Sequence, residues 1–372
     1  MKRILILVSL LVVALLVASC GQAAPATDDG AQARIAELEA QLTEAQASGE
    51  ASAEEITALE AELEAARAAA PVEEPVEATR SFKIGMANFS QCCPYFIGMN
   101  NSVLAEATAY SNITIISTDA DGDAAKFQSD IEDLIAQGID GIIISGAWLE
   151  EAPAALDAVA AAGIPSVLVD RQFGKGSSEA YTSYIGPDNY TIGVQDGQYI
   201  ADRLGGEGVV AHLRGGPADN SIGLNRTNGC LSVLETYPGI TVVTAPDFGG
   251  WSADGGIALM EDLLAANSQI DAVFCENDSM CLGAQTAISD AGRSDEMFLV
   301  GVDGETAALE AIINGTNYAA TGLNNSDQIG RAAFHRLMAI LAGATPEKNT
   351  YLPSPLITEE NVLRYYNPEG EF

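Results

Sequence analysis

Ala272 to Ala284 read A-V-F-C-E-N-D-S-M-C-L-G-A, and this stretch decides the fold. Its first four residues form a short apolar run that is typical of a buried parallel strand. Periodic apolar residues from Met280 onward indicate a helix, and either Asn277 or Asp278 can cap its N-terminus. The polar side chains therefore lie at the carboxyl end of a strand, where open α/β sheets bind small ligands. A role in helix capping alone is the alternative.

The same alternation of apolar runs and amphipathic helices extends from Phe82 to Ala342. A first series of strands and helices ends near Ile185, and a second series runs from Thr191 to Leu323. Such an order is typical of parallel, doubly wound sheets with helices on both faces. The sequence therefore predicts an α/β protein with two similar lobes and a cleft between them.

Composition excludes several classes of function. The chain has 372 residues, which is long enough for two cores. Its formal net charge of −35 argues against binding to nucleic acid or anionic lipid. His212 and His335 lie far apart in the sequence, so a histidine-based metal cluster is not expected. The sequence also lacks phosphate-loop, zinc-protease and serine-hydrolase motifs. We therefore expect a protein that is not an enzyme and that carries no metal and no cofactor.

Residues 1–20 have the composition of a targeting segment. Lys2 and Arg3 precede the apolar run Ile4–Leu16, and residues 17–20 read V-A-S-C. This ending resembles a bacterial lipobox, which implies that Cys20 becomes a lipid-modified first residue after cleavage. The protein would then be anchored on the extracytoplasmic face of the cell membrane. An ordinary signal peptide or an uncleaved anchor helix is the alternative.

Residues 21–80 are predicted to form an acidic helical stalk followed by a linker. From Arg34 to Ala70 the chain is rich in Ala, Glu and Leu, and its apolar residues keep one a/d register. Gly49 and Ser52 fall on that register and weaken it, so a single exposed helix and a coiled coil both remain open. The segment 71–77 reads P-V-E-E-P-V-E, which indicates a stiff, extended spacer.

Several predicted strands end in polar or aromatic side chains that can face the cleft. Planar carboxylates, amides and guanidinium groups can hold neighbouring hydroxyls, and aromatic rings can cover the C–H face of a sugar. An internal ion pair is the alternative for the acidic and basic pair after the fourth strand, and core packing is the alternative for the aromatic residues. The residues in question are Asn88, Phe89, Ser90, Tyr95, Phe96, Asp170, Arg171, Arg226, Trp251, Asn277, Asp303, Asn324 and Asn325.

A set of phrases in a fixed order shows a family resemblance. The region from about 82 to 366 resembles the sugar-binding periplasmic proteins of ABC importers, of the ribose-binding type, whose fold is shared with the ligand-binding part of lactose-repressor-like regulators. The phrases are I-E-D-L-I-A-Q-G-I-D-G-I-I-I (131–144), A-G-I-P-S-V-L-V-D-R (162–171), I-G-P-D-N (185–189), F-C-E-N-D-S-M-C-L-G-A (274–284), V-G-V-D-G (300–304) and D-Q-I-G (327–330).

The resemblance implies a type I periplasmic binding protein fold whose lobes close on a ligand about a hinge. The N-terminal lobe would comprise 82–187 plus 324–350, and the C-terminal lobe 188–323 plus 351–372. Carried over position by position, the ligand-binding residues fall on Phe89, Cys93, Tyr95, Phe96, Asp170, Arg171, Arg226, Trp251, Asn277, Asp303 and Asn324.

Three of these positions depart from what is common in the family. The family commonly has a hydroxyl residue at Phe89, Asn at Cys93 and Gln at Asn324. The first lobe would therefore offer fewer hydrogen bonds and more apolar surface. A site built to pair a hydroxyl rejects a ligand that lacks it, so we expect a deoxy, methylated or larger sugar in place of ribose.

Five cysteines follow Cys20, and an odd number leaves at least one thiol without an intramolecular partner. Free thiols are the first expectation, and a bridge between Cys275 and Cys281 is the second. A disulfide between Cys92 and Cys93 would form a flat apolar wall in the predicted ligand loop. Asp119–Asp123 resembles the opening of a calcium loop but lacks its closing Glu, so a solvated loop is expected.

The sequence thus predicts a lipid-anchored solute-binding protein that captures a monosaccharide or related small polyol and delivers it to an ABC permease in the membrane. A receptor that presents the same sugar to a membrane signalling protein is the runner-up. A transcription factor of this fold would need a helix-turn-helix before the first lobe, where a targeting segment and acidic stalk stand instead. An enzyme would need a nucleophile–base pair in the cleft, and none is visible.

Overall fold

The structure is a computed structural model that describes residues 28–48, 53–69, 80–146, 149–172, 180–217, 221–368 and 370. The chain divides into two compact units, Met1–Thr79 and Arg80–Phe372, which are described separately. The predicted lipobox with Cys20 and the spacer at 71–77 lie outside the described residues. Within the described ranges, no helix has the length and apolar character needed to cross a membrane.

The first unit contains two helices, α1 (Asp28–Ser48) and α2 (Ala53–Ala69). They contact each other, because Arg34 Nη2 lies 2.7 Å from Glu62 Oε1. Leu38 and Leu63, both on the predicted a/d register, are buried. The alternative of one uninterrupted exposed helix is therefore wrong. α1 ends directly before Gly49, a residue whose backbone freedom disfavours the interior of a helix.

The second unit contains two six-stranded sheets. One sheet has the strand order β11-β5-β4-β3-β1-β2 and the other has the order β12-β10-β9-β8-β6-β7. All neighbouring strands are parallel except β10 and β12. This confirms the predicted pair of doubly wound α/β lobes. The strands are β1 (Phe82–Asn88), β2 (Ile113–Asp119), β3 (Gly141–Ser145), β4 (Ser166–Val169), β5 (Ser183–Pro187), β6 (Glu207–Arg214), β7 (Gly239–Phe248), β8 (Ala272–Cys275), β9 (Phe298–Asp303), β10 (Tyr318–Leu323), β11 (Asn349–Leu352) and β12 (Leu356–Thr358).

Helices cover both faces of each sheet. In β3, Ile142 and Ile144 belong to one apolar layer, and Ile143 belongs to the layer on the opposite face with Phe334. A strand buried on both sides reads as a continuous apolar run, which is why these strands are visible in the sequence. The helices are α3 (Pro94–Ala107), α4 (Ala124–Ala136), α5 (Pro153–Ala161), α6 (Asn189–Leu204), α7 (Ser221–Leu234), α8 (Ala253–Ala266), α9 (Asp278–Asp290), α10 (Thr306–Ile313) and α11 (Ser326–Leu341).

The chain passes between the two sheets three times. It leaves the first sheet after β5, returns after β10 to form α11 and β11, and leaves again to form β12. The strands β11 and β12 were not predicted, because the sequence from 349 to 358 is short and interrupted by prolines. The three crossings bring the carboxyl ends of the strands of both lobes to one cleft.

The helix that carries Arg226 is held close to its neighbour by glycines. A Cβ atom on Gly193 of α6 would lie 2.2 Å from the carbonyl oxygen of Arg226, and one on Gly229 of α7 would lie 2.2 Å from the carbonyl oxygen of Tyr190. Backbone atoms cannot move aside as side-chain ends can, so this contact requires glycine on both helices. The close approach fixes the position of Arg226 at the base of the cleft.

Candidate ligand-binding site

A cavity lies between the two lobes where their strands end. The first lobe contributes residues that follow β1 and β4. The second contributes residues that follow β7 and β8, the last residue of β9 and the first turns of α7. Asn324, which directly follows β10, completes the wall. All of the predicted ligand-binding residues except Phe89 line this cavity. The lining residues are Cys92, Cys93, Pro94, Tyr95, Phe96, Asp170, Arg171, Ile222, Arg226, Trp251, Asn277, Ser279, Asp303 and Asn324.

Phe89 is the one predicted ligand-binding residue that does not line the cavity. Its backbone N–H donates to Ser145 O at 2.7 Å, so the extended conformation of β1 continues through this residue. Successive side chains of a strand point to opposite faces. The ring of Phe89 therefore enters the same apolar layer as Ala87, is fully buried, and meets the ring of Phe127 edge-on at 5.4 Å.

Four lining residues are not among the predicted ligand-binding residues: Cys92, which was placed only in the predicted ligand loop, and Pro94, Ile222 and Ser279. Ile222 lies one helical turn before Arg226, so the i, i+4 spacing on α7 could have identified it. Cys92 and Pro94 flank a predicted residue. Ser279 follows the cap of α9 and gives no comparable signal in the sequence.

Arg226 is the centre of the polar network. Its side chain is 2% exposed, and its guanidinium group donates to three partners. Nε donates to Asn189 Oδ1 at 2.8 Å, Nη1 to the carbonyl oxygen of Glu276 at 2.5 Å, and Nη2 to Asp303 Oδ1 at 2.8 Å. A buried charge that is paired and hydrogen-bonded in this way is held in one orientation. The Arg226 guanidinium is therefore a fixed positive centre in the cavity.

Asn324 connects the two lobes across the cavity. Its Nδ2 donates to Asp303 Oδ1 at 3.2 Å, and its Oδ1 lies 3.0 Å from the hydroxyl of Tyr95. The same hydroxyl lies 2.7 Å from Asp170 Oδ1. Asp303 and Asp170 come from different lobes, so this chain of hydrogen bonds joins both halves of the site.

Asp170 and Arg171 are both buried, at 2% and 4% exposure. Their charged groups are 3.9 Å apart, measured from Arg171 Nε to Asp170 Oδ2. The Arg171 guanidinium also lies 5.8 Å from the ring centre of Trp251, which belongs to the other lobe. Such a cation–aromatic contact is favourable where water is excluded. Asp170 adopts a positive φ of 63°, and the hydroxyl of Tyr184 donates to its carbonyl oxygen at 2.9 Å.

Asn277, not Asp278, caps α9. Its Oδ1 accepts from the backbone N–H of Met280 at 3.1 Å, and its Nδ2 donates to the carbonyl oxygen of Trp251 at 3.2 Å. Asn277 therefore combines the capping role with a place in the cavity wall. Asp278 lies beneath the wall and accepts from the backbone N–H groups of Gly304 and Glu305, each at 2.8 Å. It thereby fixes the turn that follows β9.

The carboxyl of Asp303 has a pKa well above the ordinary value of an aspartate. Burial raises the pKa of Asp303 to about 7, and the charge of Arg226 opposes that rise. For Arg226, burial acts to lower the pKa, but the charges of Asp303 and Asp170 outweigh it and the pKa is raised. Burial, together with the charge of Asp170, raises the pKa of Tyr95 well above its ordinary value. The cavity thus combines a permanent cation, a neutral phenol and a carboxyl that changes charge near neutral pH.

Cys275 and Cys281 are bridged and are not free thiols. They form a disulfide with a Cα–Cα distance of 5.4 Å, so the expectation of free thiols is wrong at this pair. Cys92, Cys93 and Cys230 are free. The described residues contain no cluster of His, Cys, Asp and Glu side chains able to hold a metal ion. Asp123, in the segment that resembles a calcium loop, caps α4 through the backbone N–H of Lys126.

This geometry agrees with the comparison with known proteins. A family model described as the periplasmic binding protein domain matches residues 84–345. The chain belongs to this family. The family resemblance seen in the sequence is therefore confirmed, together with its fold. Membership implies an extracytoplasmic location.

Individual relatives cover most of the chain. The chain is 30% identical over 281 residues to the ribose import binding protein of Bacillus subtilis (strain 168), in an alignment that covers 76% of this chain and 88% of the relative. It is similar to a solved ABC transporter solute-binding protein from Bacillus halodurans C-125 with bound myo-inositol, with a TM-score of 0.70, 28% identity, and coverage of 77% of this chain and 97% of the other.

A third relative belongs to a signalling system. The chain is similar to the solved fructose-binding periplasmic domain of a hybrid two-component system, with a TM-score of 0.68 and 29% identity, covering 76% of this chain and 92% of that one. The relatives are binding proteins and not enzymes. The prediction that this chain is a binding protein without catalytic activity is therefore confirmed.

Proposed function

We propose that the protein is a lipid-anchored, extracytoplasmic receptor that captures a monosaccharide-like ligand between its lobes and delivers it to an ABC importer. The observation that carries this proposal is the cavity in which Asp170, Arg171, Arg226, Asp303 and Asn324 converge from both lobes. A ligand that contacts both halves would stabilise the closed arrangement, which the permease would recognise. The lobes 82–187 plus 324–350 and 188–323 plus 351–372 would move about the three crossings.

The chemistry of the cavity suits a ligand with several hydroxyl groups. A hydroxyl both donates and accepts, so it can bind next to a carboxylate, an amide and a guanidinium group at once. Tyr95, Phe96 and Trp251 supply apolar faces for the C–H groups of a sugar ring. Ribose, myo-inositol and fructose, the ligands of the three relatives, all have this combination of hydroxyl groups and C–H surface.

We expect the ligand to have fewer hydroxyl groups facing the first lobe than ribose has. Cys93 presents a thiol at a position where the family commonly has an amide. The amide of Asn324 is already engaged with Tyr95 and Asp303. Both features leave fewer polar partners for a ligand, which favours a deoxy or methylated sugar. Ribose binding with submicromolar affinity would contradict this preference.

A ligand screen tests the receptor function directly. We expect one compound among pentoses, hexoses, deoxysugars and polyols to stabilise the protein that lacks residues 1–20. A binder at a hundred times its Kd adds about 2.7 kcal/mol to the free energy of unfolding, which a thermal-shift assay detects. Asp170→Asn should abolish the shift, because it removes a buried charge from the site.

The control for this screen is Asp247→Asn, which removes an exposed carboxylate of β7. It should bind the ligand as the unmodified protein does. A panel without any binder would reopen the class of ligand, while the fold would stand. Equal binding by the Asp170→Asn variant would place the site elsewhere in the molecule.

The lipid anchor has its own test. We expect Cys20→Ala to move the protein from the membrane fraction to the soluble fraction of the producing cells, because the modified thiol is the only proposed attachment. Immunoblotting of the two fractions measures the change. A Cys230→Ala variant serves as the control, since Cys230 is buried in the second lobe. A Cys20→Ala protein that stays with the membrane would contradict the lipoprotein assignment.

A sensory receptor is the second candidate function. The observation that favours it is the similarity to the periplasmic domain of a hybrid two-component system. The same closed lobes can present a ligand to a signalling protein or to a permease. A neighbouring permease gene supports import, whereas a neighbouring membrane kinase gene supports sensing.

A further inference from the structure

Two adjacent cysteines form part of the cavity wall. Cys92 is exposed and Cys93 is half-buried. Their sulfur atoms are 3.1 Å apart, and both residues line the cavity. They directly precede Pro94, the first residue of α3. Among the described cysteines, Cys275 and Cys281 are bridged and Cys230 is buried, so this pair is the accessible one.

We propose that Cys92 and Cys93 form a reversible vicinal disulfide in the wall of the ligand site, and that the bridged form binds the sugar more tightly. The assignment of the bridge rests on the position of the two thiols. The effect on affinity rests in addition on the proposed function.

The bridge can form by thiol–disulfide exchange with a small disulfide of the extracytoplasmic space. The thiolate of Cys92 attacks one sulfur of the small disulfide, forms a mixed disulfide and releases a small thiolate. The thiolate of Cys93 then attacks Cys92 Sγ, forms the intramolecular bond and releases the second small thiolate. The small disulfide is reduced to two thiols, and the two cysteines are oxidised. Disulfides persist in such oxidising compartments.

The geometry favours a bridge that also opens again. The two sulfur atoms need to approach by only about 1 Å to reach a bond length of about 2.05 Å. Neighbouring Cα atoms are about 3.8 Å apart, which is shorter than the usual span of a disulfide, and such constraint makes the bond easier to reduce. Cys92 is the thiol expected to attack first. The hydrogen bond with Cys93 lowers the pKa of Cys92 to about 7, and Ser90 and Arg171 act in the same direction.

Bridging changes what the cavity offers to a ligand. In the reduced state the Cys92 thiol can carry a negative charge in the cavity wall, and the charge of Arg171 favours that ionisation. The bridge removes that anion and presents a flat apolar surface beside Pro94 and Phe96. It also restrains the loop that leads into Tyr95, so less conformational freedom is lost when a ligand binds. Each of these effects raises the affinity for a sugar that turns a C–H face toward the first lobe.

Mass spectrometry tests the bridge. The protein lacking residues 1–20 is incubated with an excess of oxidised glutathione, alkylated without reduction and digested. We expect the peptide with Cys92 and Cys93 to carry neither glutathione nor alkyl groups and to gain both alkyl groups after mild reduction. Cys93→Ser should instead trap glutathione on Cys92, and Cys230→Ser should bridge as the unmodified protein does. Two alkylated or two glutathionylated cysteines in the unmodified protein would overturn the assignment.

Calorimetric titration tests the effect on the site, with the strongest binder from the ligand screen as the probe. We expect the Kd of the bridged protein to be at least tenfold lower than that of the mildly reduced protein. Cys92→Ser/Cys93→Ser should show the weaker affinity under both conditions. Equal Kd values in the two states would overturn the proposed effect of the bridge on ligand affinity. A screen without any binder would reopen the class of ligand in the proposed function, and the bridge itself would still be decided by mass spectrometry.

Discussion

Arg226→Met is expected to lower the free energy of unfolding by about 3–5 kcal/mol at pH 8 and to abolish ligand binding. The variant keeps much of the volume of the side chain but removes its charge and all of its hydrogen bonds. Asp303, at 8% exposure, then loses its ion-pair partner at 2.8 Å, and Asn189 loses its donor. Without the charge of Arg226, which opposes the rise in the pKa of Asp303, the buried carboxyl either stays charged without a partner or takes up a proton at pH 8, and both states are more costly than the ion pair. Urea unfolding at pH 8 measures the loss.

A second variant shows whether the loss comes from the unpaired carboxylate. Arg226→Met/Asp303→Asn removes both charges, and replacing a whole buried pair is often close to neutral. We expect this double variant to recover most of the stability but not the ligand binding. Arg331→Met is the matched control, because Arg331 is 57% exposed and its contact with Glu106 is a surface ion pair worth less than about 1 kcal/mol. A double variant as unstable as the single one would show that packing, not charge, makes Arg226 essential.

The sequence is sufficient to predict the fold and most of the cavity because both depend on short-range patterns. Strands such as β3 and β8 are buried on both faces and read as apolar runs, which also locates their carboxyl ends. Parallel strands deliver those ends to one edge of each sheet, so Asp170, Asn277 and Asp303 can be grouped from the sequence alone. Phe89 lies outside the cavity because the turn begins one residue later than expected, and alternation along the strand sends its ring into the core.

The partners of the site residues could not be predicted from the sequence. Arg226 meets Asn189 because α6 and α7 are in contact at Gly193 and Gly229, and that depends on how two helices cross. Asn324 was predicted to contact a ligand directly, but its amide also joins Tyr95 to Asp303 across the cleft. The geometry of distant segments, not local pattern, decides these contacts.

The stability of the protein is expected to fall as the pH rises from about 4 to about 7, in proportion to the charge on Asp303. Burial raises the pKa of Asp303 to about 7 in the folded protein, from an ordinary value near 3.8. Between these values the folded state binds a proton that the unfolded state has lost, so raising the pH favours unfolding. The stabilisation that comes from the raised pKa of Asp303 is complete below pH 4 and is lost as the pH passes 7. A difference of about three pH units corresponds to about 4 kcal/mol.

Other carboxylates also titrate in this range, so the measured quantity is the difference between the unmodified protein and Asp303→Asn. We expect the unmodified protein to lose stability relative to Asp303→Asn as the pH rises. The difference in stability between the unmodified protein and Asp247→Asn should stay constant over the same range. The unmodified protein should also lose stability relative to Asp278→Asn as the pH rises, but only up to about pH 6, because burial raises the pKa of Asp278 to about 6. The opposite slope for Asp303→Asn would mean that attraction to Arg226 at 2.8 Å outweighs the cost of burial. Asp303 would then be ionised throughout, and Arg226 and Asp303 would present opposite charges to the ligand at every physiological pH.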